Sequence, residues 1–589
     1  MALRVLLLGL NARYSHSNLA IKYLQMAAED IASIDRVDYS INDDTDRILR
    51  LAHQGSYDLV GFSVYIWNVQ IIKGLLPSLK KIIPSAKILL GGPEVSYESL
   101  NFMKENPAVD YLLAGEGECS FPKLLKALEE GDLQEVEGLY YRFGDRVFEP
   151  IKSPGSLDFQ QIPILYETDR FIEENKYIYY EASRGCPYRC AFCLSSAQGR
   201  PRFRPVDQVL AELETFITEK VPLVKLVDRS FNANPHATQI LRHLIEKGPG
   251  PTRFHLELHP MLLDEQMLAV LERAPKDLFQ YEIGVQTTNP ITAKKIQRAG
   301  STEAIAELVN RLRSHQNAHI HLDLIAGLPY EDLSSFGNSF NDVYRMGPDK
   351  LQLGTLKLLK GSMLREKAGE YGILYQEHAP YELLSTRWLS YADLLVIKAV
   401  EDVVERFYNE GYFQKTLEYV LTYFSSPWVF YQTLANWWVR RDLLYRNLSR
   451  VELYNLLFAF VEELGLDISM ELVADLIRYD YFRSGNKKTT KLLVPKPETE
   501  ALRLEQVYAL LTAHPKISSL ATDADLRDWV KSGAMAWFFH RMDEQQPIEQ
   551  WKREDTLLLM LPESMETSEG GQIVINITER KRRLDESDF

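Results

Sequence analysis

Arg184-Gly185-Cys186-Pro187-Tyr188-Arg189-Cys190-Ala191-Phe192-Cys193 holds three of the chain's four cysteines within ten residues. The C-x3-C-x2-C spacing brings three thiolates together in one loop. Thiolates suit soft metals and iron–sulfur clusters. Three of them neither close a tetrahedral zinc site nor complete four-cysteine cluster ligation, so one metal position stays open to a substrate or cofactor. The remaining cysteine, Cys119, directly follows Gly117-Glu118 and reads as a buried small residue rather than a fourth ligand.

Around this loop the chain alternates strand-like and helix-like segments. Strand candidates are Tyr177–Ala182, Leu223–Val227, Phe254–Leu258, Leu278–Val285, His319–Ile325 and Lys350–Leu356, with helical stretches such as Val206–Lys220 and Thr302–His315 between them. Six βα units predict a partial or full parallel barrel, with the cysteine loop after the first strand, at the end where such barrels do chemistry. Period-two alternation places Glu257 on a face with His255 and His259, Gln286 with Glu282 and Gly284, and Asp323 with His319 and His321. The third and fifth strands are expected to share interior layers, so the interior is polar towards its open end. These groups either satisfy one another in a core or form a metal site from His321, Asp323, His255 and Glu257.

Ahead of the barrel, strand candidates Arg4–Gly9, Val37–Ile41, Asp58–Val64, Lys87–Leu90 and Val109–Ala114 alternate with helical Leu19–Asp30 and Val69–Ile83. This order predicts a parallel doubly wound sheet that binds ligands beyond the carboxyl ends of its strands. Gly91-Gly92-Pro93-Glu94 and Gly115-Glu116-Gly117-Glu118 fall at those ends, where backbone must approach a ligand or simply turn. Two such ends in one sheet favour a large flat ligand. Leu139–Pro150 reads as a hairpin around Gly144-Asp145, and 151–172 as a connector.

After about residue 378 long helical stretches are expected: Leu383–Tyr408, Thr416–Tyr423, Val429–Leu448, Val451–Leu464 and Ser469–Tyr481. Seven of eight tryptophans lie after residue 385. Trp437-Trp438 with Tyr431 and Tyr445 line either an organic-substrate pocket or a packed core, and the core reading is preferred. Lys487-Lys488 reads as a linker, Glu579-Arg580-Lys581-Arg582-Arg583 as a solvated tail, and Thr556–Leu561 with Gln572–Ile577 as a late hairpin. The resulting organisation is 1–135, a doubly wound domain; 136–172, hairpin and linker; 173–375, the barrel; and 376–589, mainly helical.

Bulk properties narrow the classes. A length of 589 residues is a soft prior for about four domains. Net charge of −15 argues against a general phosphate-binding surface and hence against nucleic acid. Four cysteines make no disulfide framework, and their grouping points to a reducing, cytoplasmic compartment. The apolar run Val5–Leu8 is too short for a signal-peptide core, and no stretch approaches 18 apolar residues, so no membrane span is expected.

The cysteine loop, with Phe192 just before its last cysteine, resembles the signature of the radical S-adenosylmethionine (radical SAM) enzymes. The resemblance implies a 4Fe-4S cluster on Cys186, Cys190 and Cys193. Its open iron would chelate the amino and carboxylate groups of SAM, and reductive cleavage would release a 5′-deoxyadenosyl radical. An electron donor such as a flavodoxin or ferredoxin is implied. Phe192 and Glu257 match SAM contacts in place. Gly284-Val285-Gln286 resembles the fourth-strand segment of the coproporphyrinogen-oxidase-like branch, and Arg298, twelve residues on, matches its SAM-carboxylate arginine. Ile325-Ala326-Gly327-Leu328-Pro329 resembles the segment that packs on adenine, which makes Ile325 and Gly327 candidate contacts. The family's Gly-Gly-Glu after the second strand is absent. Val227-Asp228-Arg229-Ser230-Phe231 stands there, as in the cobalamin-linked branch.

Residues 1–135 resemble the cobalamin-binding domain fused ahead of many of these enzymes. The matching stretches are Gly61-Phe62-Ser63-Val64, Gly91-Gly92-Pro93-Glu94 and Gly115-Glu116-Gly117-Glu118, which makes Ser63, Gly91, Gly92, Gly115 and Gly117 candidate cobalamin contacts. The D-x-H-x-x-G loop of histidine-ligated cobalamin proteins is absent. His16 lies in the right loop at the wrong spacing, so cobalamin without a protein histidine ligand is expected. The helical C-terminal part resembles an uncharacterised domain of one bacterial branch. Together these imply an α/β chain: a Rossmann-like cobalamin-binding domain, a radical SAM barrel and a mainly helical C-terminal domain. The implied activity is methylation of an unactivated carbon or phosphorus of an unknown organic substrate. Alternatives are a radical rearrangement or cyclisation with cobalamin as electron carrier, and a non-catalytic cobalamin or Fe–S regulator. Methylthiotransfer is disfavoured, because only Cys119 lies outside the loop.

Overall fold

The computed structural model describes residues 3–155, 158–173, 176–197, 199–248, 250–485, 492–496, 534–541, 546–560 and 574–576. The chain divides into two compact units, Met1–Leu394 and Leu395–Phe589.

The first unit contains two sheets. β1 (Arg4–Asn11), β2 (Ser33–Ser40), β3 (Leu59–Ser63), β4 (Lys87–Gly91) and β5 (Tyr111–Leu113) are parallel. β6 (Leu139–Phe143) and β7 (Arg146–Phe148) extend one edge as an antiparallel hairpin. The order is β2-β1-β3-β4-β5-β6-β7. β1 is apolar and buried from Val5 onward because helices cover both faces of a parallel sheet. Leu6, Leu8, Val60, Phe62, Ile88 and Leu90 pack on one side. Val5, Leu7, Leu59, Leu89, Phe121 and Leu124 pack on the other. The topological switch point of this order lies between β1 and β3, so the ligand crevice opens beyond Asn11 and Ser63.

β8 (Ile178–Tyr180) starts the second sheet. The two-residue strands β9 (Ser183–Arg184) and β10 (Arg202–Phe203) pair antiparallel around the cysteine loop. β11 (Leu223–Leu226), β12 (Arg253–Leu258), β13 (Phe279–Gln286), β14 (Ala318–Ala326) and β15 (Lys350–Thr355) then add in parallel, in the order β15-β14-β13-β12-β11-β8. β8 and β15 are the edges, so the sheet is a partial barrel. Along β13, Phe279, Tyr281, Ile283 and Val285 are buried, while Gln280, Glu282, Gly284 and Gln286 are only part-buried on the other face. The period-two reading holds, with one correction to the layers. Glu257 pairs in register with Glu282, and Glu282 with His321, so the third, fourth and fifth strands all contribute to one layer. β16 (Leu374–Tyr375) and β17 (Leu383–Ser385) form a last antiparallel pair.

The expected helix from Leu383 to Tyr408 is therefore shorter than the sequence implies. Leu383–Ser385 is strand, and the helix starts at Tyr391. Ser390 and Asp393 cap it reciprocally: the Ser390 hydroxyl accepts from Asp393 N at 3.1 Å, and Ser390 N donates to the Asp393 carboxylate at 3.0 Å.

In the second unit, helices Gln414–Val420, Pro427–Arg440, Arg450–Leu464 and Met470–Arg483 carry most of the structure. The stretch expected to be helical to Leu448 stops at Arg440, because Asp442 and Tyr445 take left-handed backbone at φ of 53° and 60°. Trp437, Trp438 and Tyr431 are fully buried, whereas Tyr445 is 76% exposed. The tryptophan pair is packed core and not a substrate pocket. β18 (Ala534–Arg541), β19 (Lys552–Met560) and β20 (Val574–Asn576) make an antiparallel sheet. β20 falls within the expected late hairpin and β19 starts four residues before its expected first strand, with Leu558 opposite Asn576. Its residues 561, 572, 573 and 577, Lys487-Lys488 and the tail 579–583 lie outside the described residues.

Candidate functional site

The cysteine loop stands beyond the carboxyl end of β8 and is pinned from three sides. Ala191 N donates to Ile296 O and Leu364 N to Ala191 O, each at 2.9 Å. The Tyr188 ring stacks on His259 with centroids 3.7 Å apart, and Asn232 holds the His259 backbone through two hydrogen bonds of 2.8 and 2.9 Å. Gly185 has φ of 91°, and a Cβ there would press on Arg200 and Pro201 at 3.2 Å. Only glycine allows the loop to leave β9 in this direction.

Two of the three thiols make only long contacts. Cys186 Sγ lies 3.5 Å from the Ser230 hydroxyl, and Cys190 Sγ lies 3.9 Å from both Gln297 O and Arg298 Nη1. Cys190 is buried, and burial raises its thiol pKa, with Arg298 pulling the other way. A soft-metal cluster removes that cost because it binds the thiolate. Three thiols on a pinned loop therefore fit an iron–sulfur cluster. Cys119 does not join them. It is half-buried on the helix Gly117–Glu130, which corrects the expectation of full burial.

Gln286 and Arg298 converge at the end of β13. Gln286 has φ of 74° at an irregularity in the β13–β14 register, a device that re-aims a side chain. A Cβ on Gly284 would meet Gln286 Nε2 at 2.2 Å and Arg298 Nη2 at 3.4 Å. Gly284 is thus the space these side chains use. Arg298 also donates to Gly284 O. Gln286 Oε1 and Arg298 Nε are buried without a hydrogen-bond partner among the described residues. Unsatisfied buried polar atoms on a residue pair whose arginine reaches Cys190 fit a polar ligand such as the amino-acid end of SAM.

Glu257 lies in the adjoining layer, 3.5 Å from Arg229. Burial raises its pKa, and Arg229 offsets part of that. The segment that replaces Gly-Gly-Glu works mainly on the loop. Asp228 accepts from Ala182 N at 3.1 Å and from the Ser183 hydroxyl, just before the cysteines, and burial pushes its carboxyl up to about 7. Ser230 reaches Cys186. Sequence reasoning did not assign these roles, since they depend on how β11 lies against β8. Phe192 and Ile325 are part-buried. Gly327 has φ of 92°, and a Cβ there would overlap Leu383 at 1.9 Å, so packing against β17 requires this glycine.

At the first sheet, Ser63 stands at the switch point, where its hydroxyl accepts from Asn18 Nδ2 at 2.8 Å. Gly92 has φ of 112° and approaches Val64 O to 2.6 Å measured from its would-be Cβ. Gly115 has φ of 86° and packs on Pro154, and Gly117 packs on Leu24. Gly91 has only Leu113 O at 3.6 Å. Gly92, Gly115 and Gly117 serve close approaches of the chain, while the carboxylates of the same motifs reach the second sheet's loops. Glu94 accepts from the Tyr381 hydroxyl and lies 3.2 Å from Lys360 Nζ. Glu118 accepts from Arg184, and Glu116 from Arg202 at 2.9 Å. Arg184 also donates to Glu181 at 2.9 Å. The residue that opens the cysteine loop is therefore anchored to the first sheet. His16 is engaged too: its Nδ1 lies 3.1 Å from the Tyr179 hydroxyl on β8.

Three family models match the chain in order: a B12 binding domain over 5–125, the radical SAM superfamily over 180–343, and a protein of unknown function (DUF4080) over 369–560. Residues 180–343 thus match a radical SAM domain, preceded by a match to a B12-binding domain and followed by one to DUF4080. The cobalamin-dependent radical SAM methyltransferase TokK of Streptomyces tokunonensis is 24% identical over 54% of this chain and 49% of its own length. The anaerobic magnesium-protoporphyrin IX monomethyl ester cyclase of Synechocystis is 27% identical over 45% of this chain and 54% of its own. The chain thus spans about half the length of the curated relatives it matches. Among solved structures, the cobalamin-dependent SAM radical enzyme OxsB aligns with TM-score 0.57 and 16% identity over 81% of this chain and 79% of that one. The methyltransferase TsrM of Kitasatospora setae aligns with TM-score 0.54 and 18% identity over 65% and 79%. Both support the fold. Among the described residues, no helix is long and apolar enough to cross a membrane.

Proposed function

We propose that this radical SAM protein is a cobalamin-dependent methyltransferase acting at an unactivated carbon of an organic substrate. The observation that carries the reading is the contact of Arg298 with Cys190 of the three-cysteine loop, beside Gln286 Oε1 and Arg298 Nε that are buried without a hydrogen-bond partner among the described residues. A second sheet is tied to that loop through Arg184. Cys186, Cys190 and Cys193 would hold the 4Fe-4S cluster. Arg298 and Gln286 would orient SAM, with Glu257, Phe192, Ile325 and Gly327 beside it. Ser63, Gly91, Gly92, Gly115 and Gly117 would line the cobalamin crevice. When bound, the cluster with SAM supplies hydrogen abstraction and cobalamin supplies the methyl group. The chain's part is to hold both groups at fixed places and exclude water. A flavodoxin or ferredoxin would supply electrons. The engagement of His16 by Tyr179 supports cobalamin without a protein histidine ligand. Methyl transfer is favoured by the relative named a methyltransferase, and the relative named a cyclase supports rearrangement as the second reading.

Anaerobic reconstitution with cobalamin, SAM, reductant and cell extract tests the proposal. Formation of both 5′-deoxyadenosine and S-adenosylhomocysteine is expected. Deoxyadenosine alone would favour rearrangement, and neither product from cluster-loaded protein would overturn the enzyme reading.

A further inference from the structure

The polar inner face of the second sheet contains a cluster that the proposed reaction does not use. His255 on β12, Glu282 on β13 and His321 on β14 offer ligand atoms that all lie within 4.8 Å of one another. His255 Nε2 is 3.2 Å from the Glu282 carboxylate, and the two imidazole rings are 6.4 Å apart, edge to face. The register explains the convergence. Glu282 lies directly opposite His321, and His255 sits on the other neighbouring strand, two residues off level and on the same face. Three ligands therefore come from three adjacent rigid strands.

We propose that His255, Glu282 and His321 bind a divalent transition-metal ion inside the partial barrel, at a site separate from the cysteine loop.

Two imidazoles and one carboxylate are a ligand set for zinc, iron, cobalt or manganese, and they leave further positions open. Bonds of about 2.1 Å place neighbouring donors about 3 Å apart, which side-chain rotation can reach from the observed spacing. A second observation lies one layer towards the carboxyl ends. Asp323, two residues from His321 on the same face, has its Oδ1 buried with no hydrogen-bond partner among the described residues. The Asp323 carboxyl is also hydrogen-bonded to Glu282, so it touches one ligand of the cluster and can orient it. One neighbouring charge acts on the cluster: Lys225, opposite His255 in register, attracts Glu282. Glu257, opposite Glu282, is 3.5 Å from Arg229, and Lys225 Nζ lies over the Tyr177 ring at 5.5 Å. His319 packs its ring on His321 at 4.9 Å, and Lys350 faces His321 in register. Of the four residues that the sequence offered for a metal site, His255 and His321 belong to this cluster, and Glu282 rather than Glu257 is its carboxylate.

The test uses full-length protein with its cysteine loop already loaded with the iron–sulfur cluster, so that zinc cannot enter there. Protein is equilibrated with zinc, desalted and analysed for zinc by mass spectrometry, alongside thermal melts with and without zinc. About one zinc per chain is expected, with a rise in melting temperature. Both should be lost in His321→Gln and in Glu282→Gln and kept in the remote His315→Ala. If either variant fails to load the cluster, His255→Gln replaces it. Retention of one zinc per chain by His321→Gln and Glu282→Gln would overturn the proposal. So would an absence of bound zinc in the wild-type protein. The proposal does not rest on the methyltransferase reading, because zinc content is read without turnover.

Discussion

The Gln286 amide nitrogen lies 2.2 Å from where a Cβ on Gly284 would stand, and Arg298 fills the rest of that space. Gly284→Ala should therefore push the Gln286 amide out while leaving the cysteine loop intact. Losing one charge-assisted hydrogen bond costs about 1.5–3 kcal/mol, so SAM affinity is expected to fall roughly tenfold to a hundredfold. Titration of SAM into cluster-loaded protein measures this, and unchanged iron content shows that the loop survives. A second residue reports on pH. Glu331 is 1% exposed and accepts from the Thr287 and Ser339 hydroxyls at 2.7 and 3.1 Å. Burial raises its pKa from the ordinary 4.5 to about 7, against those hydrogen bonds. Its contribution is fully present below pH 4.5 and is lost as pH rises through 7. Relative to Glu331→Gln, the wild type should lose on the order of 3 kcal/mol over that interval, read by denaturant melts. At this scale the cysteines, Gln286 and Arg298 were legible because spacing along the chain carries them. Asp228, Ser230 and Glu282 were not, because their partners are set by strand register.

Strands were legible as elements because short β-branched and leucine runs between turn residues leave few other choices. Alternation along β13 separated buried from inward-facing residues correctly. Helix ends in the C-terminal region were less legible. Apolar periodicity runs on past Arg440, and only the left-handed backbone at Asp442 stops the helix there. The same helix decides what its tryptophans do. Trp438 is fully buried and meets Phe407 edge to face at 5.5 Å, and Trp437 Nε1 donates to Glu463 at 3.0 Å. Trp438→Ala should cost about 3–5 kcal/mol of stability in the second unit, as a core deletion does. A thermal melt checks it. A pocket-lining tryptophan would be lost with little change in the melt.

Over the whole molecule, the order of domains was readable from the order of patterns: alternating strands and helices twice, then helices. Six strands gave the barrel, but whether it closed could not be read, since closure depends on pairing of β8 with β15, which the sheet order lacks. Nor could the sequence show that the carboxylates of the two glycine-rich motifs, Glu94, Glu116 and Glu118, would tie the first sheet to loops of the second. These ties give the first unit its functional logic, because the loop that would carry the cluster starts at an arginine anchored to the sheet that would carry cobalamin. The claim beneath this is that three cysteines hold a cluster whose fourth iron is open to SAM. The most direct measurement is the EPR spectrum of the reduced, cluster-loaded protein before and after SAM is added. The account expects the signal to shift on SAM addition in the wild type and much less in Gly284→Ala. A spectrum that SAM leaves unchanged in the wild-type protein would contradict it.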